Sequence, residues 1–128
     1  MRVLLDTRTL LWWVQDDPKL PPKARATIAS FRNEIYVSAA SAWEIATKVR
    51  LGKLPGAESF ASNIREHIRQ LSFRELTITL DHAQRAGLLP GTHRNPIDRM
   101  LIAQAQAEDM PIISNEAVFD EYLVRRIW

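Results

Sequence analysis

Short runs of continuous apolar residues alternate along this chain with stretches whose apolar positions recur every three or four residues. The first pattern predicts buried strands and the second amphipathic helices. Arg2 to Asp6 (RVLLD) reads as a buried strand. Thr7 is placed to cap the next helix, on which Leu10, Leu11, Trp13 and Val14 form a stripe, and Asp16-Asp17-Pro18 ends it. Pro21-Pro22 opens a helix to about Arg32, with Ala24, Ile28 and Phe31 facing inward. Glu34 to Ser38 (EIYVS) is a second strand, β-branched and aromatic. Ser41 and Glu44 have the spacing of a capping box, so a helix is expected from Ser41 to Leu51, closed by Gly52.

The second half repeats the alternation. A Pro/Gly loop at 53–57 forms a candidate mobile rim, and a helix follows from about Glu58 to Gln70, with Phe60, Ile64, His67, Ile68 and Leu71 at helical spacing. Glu75 to Thr79 is a third strand, and Asp81 to Leu89 a helix broken by Pro90-Gly91. Asn95 as cap and Pro96 at the first helical position start a long helix to about Asp109, with Asp98 in its first turn. Met110 to Ser114 is a fourth strand, Asn115 to Glu121 a short helix, and Val124 to Trp128 a last strand. Strands alternating with helices predict an α/β fold, a three-layer α/β/α sandwich on a mainly parallel sheet, as one domain over residues 1–128. In such sheets ligands bind beyond the carboxyl ends of the strands.

Composition narrows the chemistry. The 128 residues include no cysteine and only three histidines, His67, His82 and His93, none at zinc-ligand spacing. Hard oxygen ligands remain, and those suit magnesium or manganese. The net charge of +2 is a weak pointer to nucleic acid, and the basic residues are mostly arginine, whose planar fork suits phosphate. Asp6 and Arg8 interrupt the N-terminal apolar run, so no signal peptide is expected; no stretch is long enough to span a membrane, and a cytoplasmic protein is the expectation.

Four carboxylates, Asp6, Glu44, Asp98 and Glu116, fall where apolar runs stop, at strand-to-helix corners or in first helical turns. Each has a local explanation. Asp6 reads as a cap or turn residue and Glu44 as the partner of Ser41. Asp98 and Glu116 sit where the helix dipole favours negative charge by about 0.3–1 kcal/mol. Local roles do not require convergence, however, and a parallel sheet would bring all four to one end. Such a cluster, with no lysine to pair with, is costly unless a cation fills it. A divalent ion there would activate water for attack on a phosphodiester, with no nucleophilic side chain required. Other chemistries lack their signatures. There is no Gly-rich phosphate loop, position 8 is Arg8 where an aspartyl phosphatase would carry a second acid, and no serine lies in a nucleophile elbow.

A specific resemblance joins these residues. Leu5-Asp6-Thr7 with Leu10-Leu11-Trp12, Val37-Ser38-Ala39-Ala40-Ser41-Ala42-Trp43-Glu44-Ile45, Arg50-Leu51-Gly52-Lys53-Leu54 and His93 through Ala105 are similar, in this order, to the VapC toxins of the PIN-domain family. The resemblance implies a PIN-like fold and a Mg2+- or Mn2+-dependent endoribonuclease toxin of a type II toxin–antitoxin system. It also implies a homodimer and a cognate VapB-like antitoxin. The family's acids fall on Asp6, Glu44 and Asp98 as catalytic metal ligands; the fourth, usually an aspartate, is here the longer Glu116, with Asp120 as an alternative stand-in. Ser114 and Thr7 are candidates to orient the ligands. A non-catalytic PIN-like module that binds RNA or a partner is the alternative function.

Arg94 and Arg99 flank Asp98 as candidate phosphate contacts, with an ion pair to a site acid the other reading of Arg99. Trp12, Trp13 and Trp43 lie on apolar stripes, which favours core or dimer packing over base stacking. His93 has two readings, a residue that approaches substrate and, more often for a single loop histidine, an incidental one.

Overall fold

The computed structural model describes residues 1–128. Five parallel strands, β1 (Arg2–Leu5), β2 (Glu34–Ser38), β3 (Arg74–Leu76), β4 (Ile112–Ile113) and β5 (Arg126–Ile127), form one sheet in the order β3-β2-β1-β4-β5. Seven α-helices connect them: α1 (Thr7–Val14), α2 (Pro22–Ala29), α3 (Ala39–Arg50), α4 (Glu58–Ser62), α5 (Ile64–Gln70), α6 (Leu80–Leu88) and α7 (Pro96–Glu108). A 3-10 helix spans Ala117–Glu121.

Side-chain alternation along β1 splits the core in two. Val3 and Leu5 point to one face and pack with Leu10 of α1, Ala24 and Ile28 of α2, Ile45 of α3, Phe60 of α4 and Ile68 of α5. Leu4 points to the other face and packs with Leu101, Ile102 and Ala105 of α7 and with Phe119. Both faces of the sheet are therefore covered, which is the expected three-layer sandwich. It also explains why these strands are apolar throughout.

The order of the strands positions the site. The chain steps from β1 outward to β2 and β3, then returns to lay β4 and β5 on the opposite side of β1. The connections reverse direction between β1 and β4, which opens a crevice at the carboxyl ends of those two strands.

Several local expectations are corrected. Asp6, not Thr7, caps α1; its carboxylate accepts the Thr9 amide at 2.8 Å. The third helix starts at Ala39, capped by Ser38 through the Ala40 amide at 3.0 Å. Ser41 is therefore inside the helix, and its capping box with Glu44 does not exist. The helix leaves the strand with no intervening loop because the Ser38 hydroxyl satisfies a first-turn amide at once. The α2 helix stops at Ala29 and Ser30 is extended, so Phe31 leaves the helical period and is 94% exposed. The helix expected from Glu58 to Gln70 breaks at Asn63 (φ −154°, ψ 55°) into α4 and α5. Asn95 caps α7 as expected, accepting from the Ile97 and Asp98 amides at 2.9 and 3.2 Å.

Candidate metal centre

Asp6, Glu44, Asp98 and Glu116, which lie far apart in sequence, line one cleft of about 320 Å³ at the carboxyl ends of the strands. Asp6 is the floor. It follows β1 directly, is 4% exposed, and is fixed by the Thr9 amide. Thr9 in turn donates its hydroxyl to the Ile113 carbonyl at 3.0 Å, tying α1 to β4. Asp98 is the third residue of α7, held by the Asn95 cap and by Nε2 of His93, 2.8 Å from Oδ2. Glu44 projects from the second turn of α3, and Glu116 immediately precedes the 3-10 helix.

Burial pushes the Asp6 carboxyl above the ordinary aspartate range. Hydrogen bonds from Ser114 and Thr9 oppose the shift, and the charge of Asp98 adds to it. Burial also raises Asp98; His93 opposes this, while the charges of Glu116 and Glu44 reinforce it. Both aspartates thus feel a desolvated, negatively charged environment, the kind that marks a functional site.

The expectation that no lysine is available to the acids is overturned. Lys48 lies one helical turn from Glu44 and pairs with it at 2.9 Å. Arg8 pairs with Glu116 at 3.1 Å across the cleft. With His93 on Asp98, each of the three outer acids has a side-chain partner. In these positions no three acids or histidines gather around a single point as ligands. The donor set itself is all carboxylate, the chemistry that holds magnesium or manganese, so the residues fit such an ion once the outer side chains rotate inward. The side chains of Glu44, Asp98 and Glu116 are 13%, 20% and 41% exposed.

The supporting shell is also visible. The Ser114 hydroxyl accepts the Glu116 amide at 2.9 Å, tying Glu116 to the end of β4. Thr7 donates to the Ser41 hydroxyl at 3.0 Å, joining α1 to α3 behind the site.

A model of the PIN domain matches residues 3–123. The chain belongs to the PIN domain family. This PIN domain is 42% identical over 78 residues to Ribonuclease VapC16 of Mycobacterium tuberculosis, a match covering 58% of this chain and 54% of that relative. The aligned region is therefore about half of the relative's length. Among solved structures, VapBC2 from Rickettsia felis, bound to a promoter DNA fragment, superposes with TM-score 0.73 at 16% identity, covering 100% of both chains. VapC20 of Mycobacterium tuberculosis, described as a Sarcin-Ricin loop cleaving toxin, gives TM-score 0.69 at 15% identity over 93% of each chain. At these identities the structural matches establish a shared PIN fold.

Other assignments within the PIN domain change. His93 is not incidental, since it bonds Asp98. Arg99 forms no ion pair with a site acid; it donates to the carbonyls of Ala86 (3.2 Å), His93 (3.0 Å) and Leu89, clamping the loop that carries His93. Asp120 lies outside the cleft wall, and its pairing with Arg126 holds it below the usual aspartate range. Trp13 packs on Phe73 as expected. Trp12 lines the cleft and contacts Trp128 at 5.8 Å between ring centres, and Trp43, 67% exposed, is not a core residue. Sequence reasoning missed Lys48, though its spacing from Glu44 is a readable signal. It also missed Arg8 as a partner of Glu116 and Gln104 as the buried partner of Ser38 at 2.6 Å, pairs that only the fold creates.

Proposed function

We propose that this chain is a Mg2+- or Mn2+-dependent endoribonuclease, the toxin of a VapBC-type toxin–antitoxin pair, acting as one PIN domain. The observation that carries the reading is the convergence of Asp6, Glu44, Asp98 and Glu116, from four distant segments, on one cleft at the topological switch point of the sheet. The PIN domain match and the 42% identity to a VapC ribonuclease support RNA as the substrate.

In this reading Asp6 and Asp98 are direct ligands of the ion, with Glu44 and Glu116 completing the set. The ion supplies Lewis acidity and an activated water. Asp6 is the rigid member, because it is buried and its cap bond to the Thr9 amide fixes its carboxylate before anything binds. Ser114 keeps Glu116 within reach of the same point. Glu44, on a helix and held by an exposed lysine that can give it up, is suited to ligate the ion or to orient the attacking water.

A VapB-like antitoxin is the proposed partner, consistent with the VapBC complexes among the structural neighbours. No helix is long and apolar enough to cross a membrane, which is compatible with action on cytoplasmic RNA.

Purified protein should cleave RNA only with added Mg2+ or Mn2+, and Asp6→Asn or Asp98→Asn should abolish cleavage and growth inhibition while leaving the fold intact. Full cleavage by either variant, or by wild type in excess chelator, defeats the proposal. A second reading, a non-catalytic module that binds RNA or its partner, draws support from the side-chain cations already on the outer acids. It predicts retention of intact RNA throughout a magnesium titration.

A further inference from the structure

Arg8 and Lys48 are the two cationic side chains on the cleft wall, and each neutralises a different acid. Arg8 leaves the first turn of α1, reaches Glu116 at 3.1 Å, and places its guanidinium 5.8 Å from the centre of the Trp12 ring. Lys48 reaches Glu44 at 2.9 Å along α3. Arg8 and Glu116 are 54% and 41% exposed, a solvent-screened pair, while Lys48 is 45% exposed over a Glu44 that is only 13% exposed, so water reaches both pairs from the side of the cation. A divalent ion that recruits Glu44 and Glu116 must first take them from these two cations. The displaced charges stay tethered to the wall, beside carboxylates that the ion has neutralised. An anion is then the remaining partner for them. Arginine's fork matches a phosphate, and the Trp12 face offers Arg8 an adjacent resting position.

We propose that Arg8 and Lys48 are exchangeable counter-cations. They hold Glu116 and Glu44 while no metal ion is bound, and transfer to the phosphodiester backbone of RNA when one is. The inference rests on the metal-dependent function proposed above. It assigns to each residue two opposing effects: competition with the metal and attraction of the substrate.

The two effects separate experimentally. Calorimetric titration of the full chain with Mn2+ alone, without RNA, should show Arg8→Met and Lys48→Met each binding the ion about two- to five-fold more tightly than wild type, the worth of one exposed ion pair. Lys23→Met, which removes an exposed lysine outside the cleft wall, should change Mn2+ affinity less. At saturating Mn2+, both cleft variants should raise KM for RNA severalfold, with a smaller change in kcat. Arg8→Gln and Lys48→Gln provide a second pair should a methionine variant fold poorly. Unchanged or weaker Mn2+ affinity in both cleft variants, or unchanged KM in both, overturns the inference. Wild type that binds no Mn2+ overturns the proposed function itself, and the inference with it.

Discussion

Asp6 carries two opposing contributions to stability, and substitutions can separate them. Its carboxylate caps α1 through the Thr9 amide at 2.8 Å, which stabilises the fold. Its charge is buried and faces the charge of Asp98, which destabilises the metal-free fold and raises its pKa. Asn caps a helix about as well as Asp, so Asp6→Asn keeps the first contribution and removes the second. Asp6→Ala removes both. The cap is worth about 1 kcal/mol, so the alanine variant should be less stable than the asparagine variant by that amount. For a domain of this length the difference corresponds to a Tm gap of about 4 °C. In metal-free buffer at neutral pH, Asp6→Asn should melt at or above wild type. The sign of the pH dependence follows from the raised pKa. A group that holds its proton more tightly when folded contributes stability that is full below the unfolded value of 3.8 and lost as pH rises through the folded value. The advantage of Asp6→Asn over wild type should therefore grow on going from pH 4 toward neutrality. Added Mn2+ should reverse the ranking. Wild type gains about 2.7 kcal/mol at a hundredfold excess over Kd, while Asp6→Asn gains little. Scanning calorimetry with and without Mn2+ measures all of this. An Asp6→Asn variant less stable than wild type without metal, or stabilised as strongly by Mn2+, would refute the reasoning.

Two further predictions concern the scaffold of the site. Gly91 has φ +99°, and a Cβ built there would lie 2.6 Å from the Tyr122 hydroxyl, whereas Gly52 has φ +73° but open space around it. Gly52→Ala should cost about 1 kcal/mol from backbone strain, and Gly91→Ala should cost clearly more, as measured by urea denaturation; equal losses would refute the steric account. Arg99→Met should free the carbonyls of Ala86, Leu89 and His93, speeding amide exchange in the 89–94 loop. Unchanged exchange in that loop would show that the clamp does not hold it.

Much of the candidate site was legible because the signals are local. The end of an apolar strand at Asp6 and the Asn95-Pro96 start of α7 fix where those carboxylates sit relative to their own elements. The continuous apolar runs identified a sheet buried on both faces, since such strands have no polar side to show to water. The mistaken readings share one cause. The Ser41–Glu44 spacing and the Phe31 stripe are real patterns, but local patterns compete. Ser38, the last residue of β2 and the one directly after its register with β1 ends, captured the cap of α3, and Ser30 ended α2 before Phe31 could join it.

By itself the sequence determined the alternation of strands and helices, the oxygen-only character of the ligand set, and the four acids at element boundaries. Only the tertiary structure decided that those acids share one cleft, because the reversal of strand order between β1 and β4 is a property of the whole sheet. It alone decided their charge partners as well. Arg8 meets Glu116, and His93 is clamped against Asp98 by Arg99, through contacts made after the chain has folded back. Sequence spacing encodes which face of an element a side chain occupies; the partner across a cleft is set by packing, and a charge in a desolvated site takes its properties from that partner.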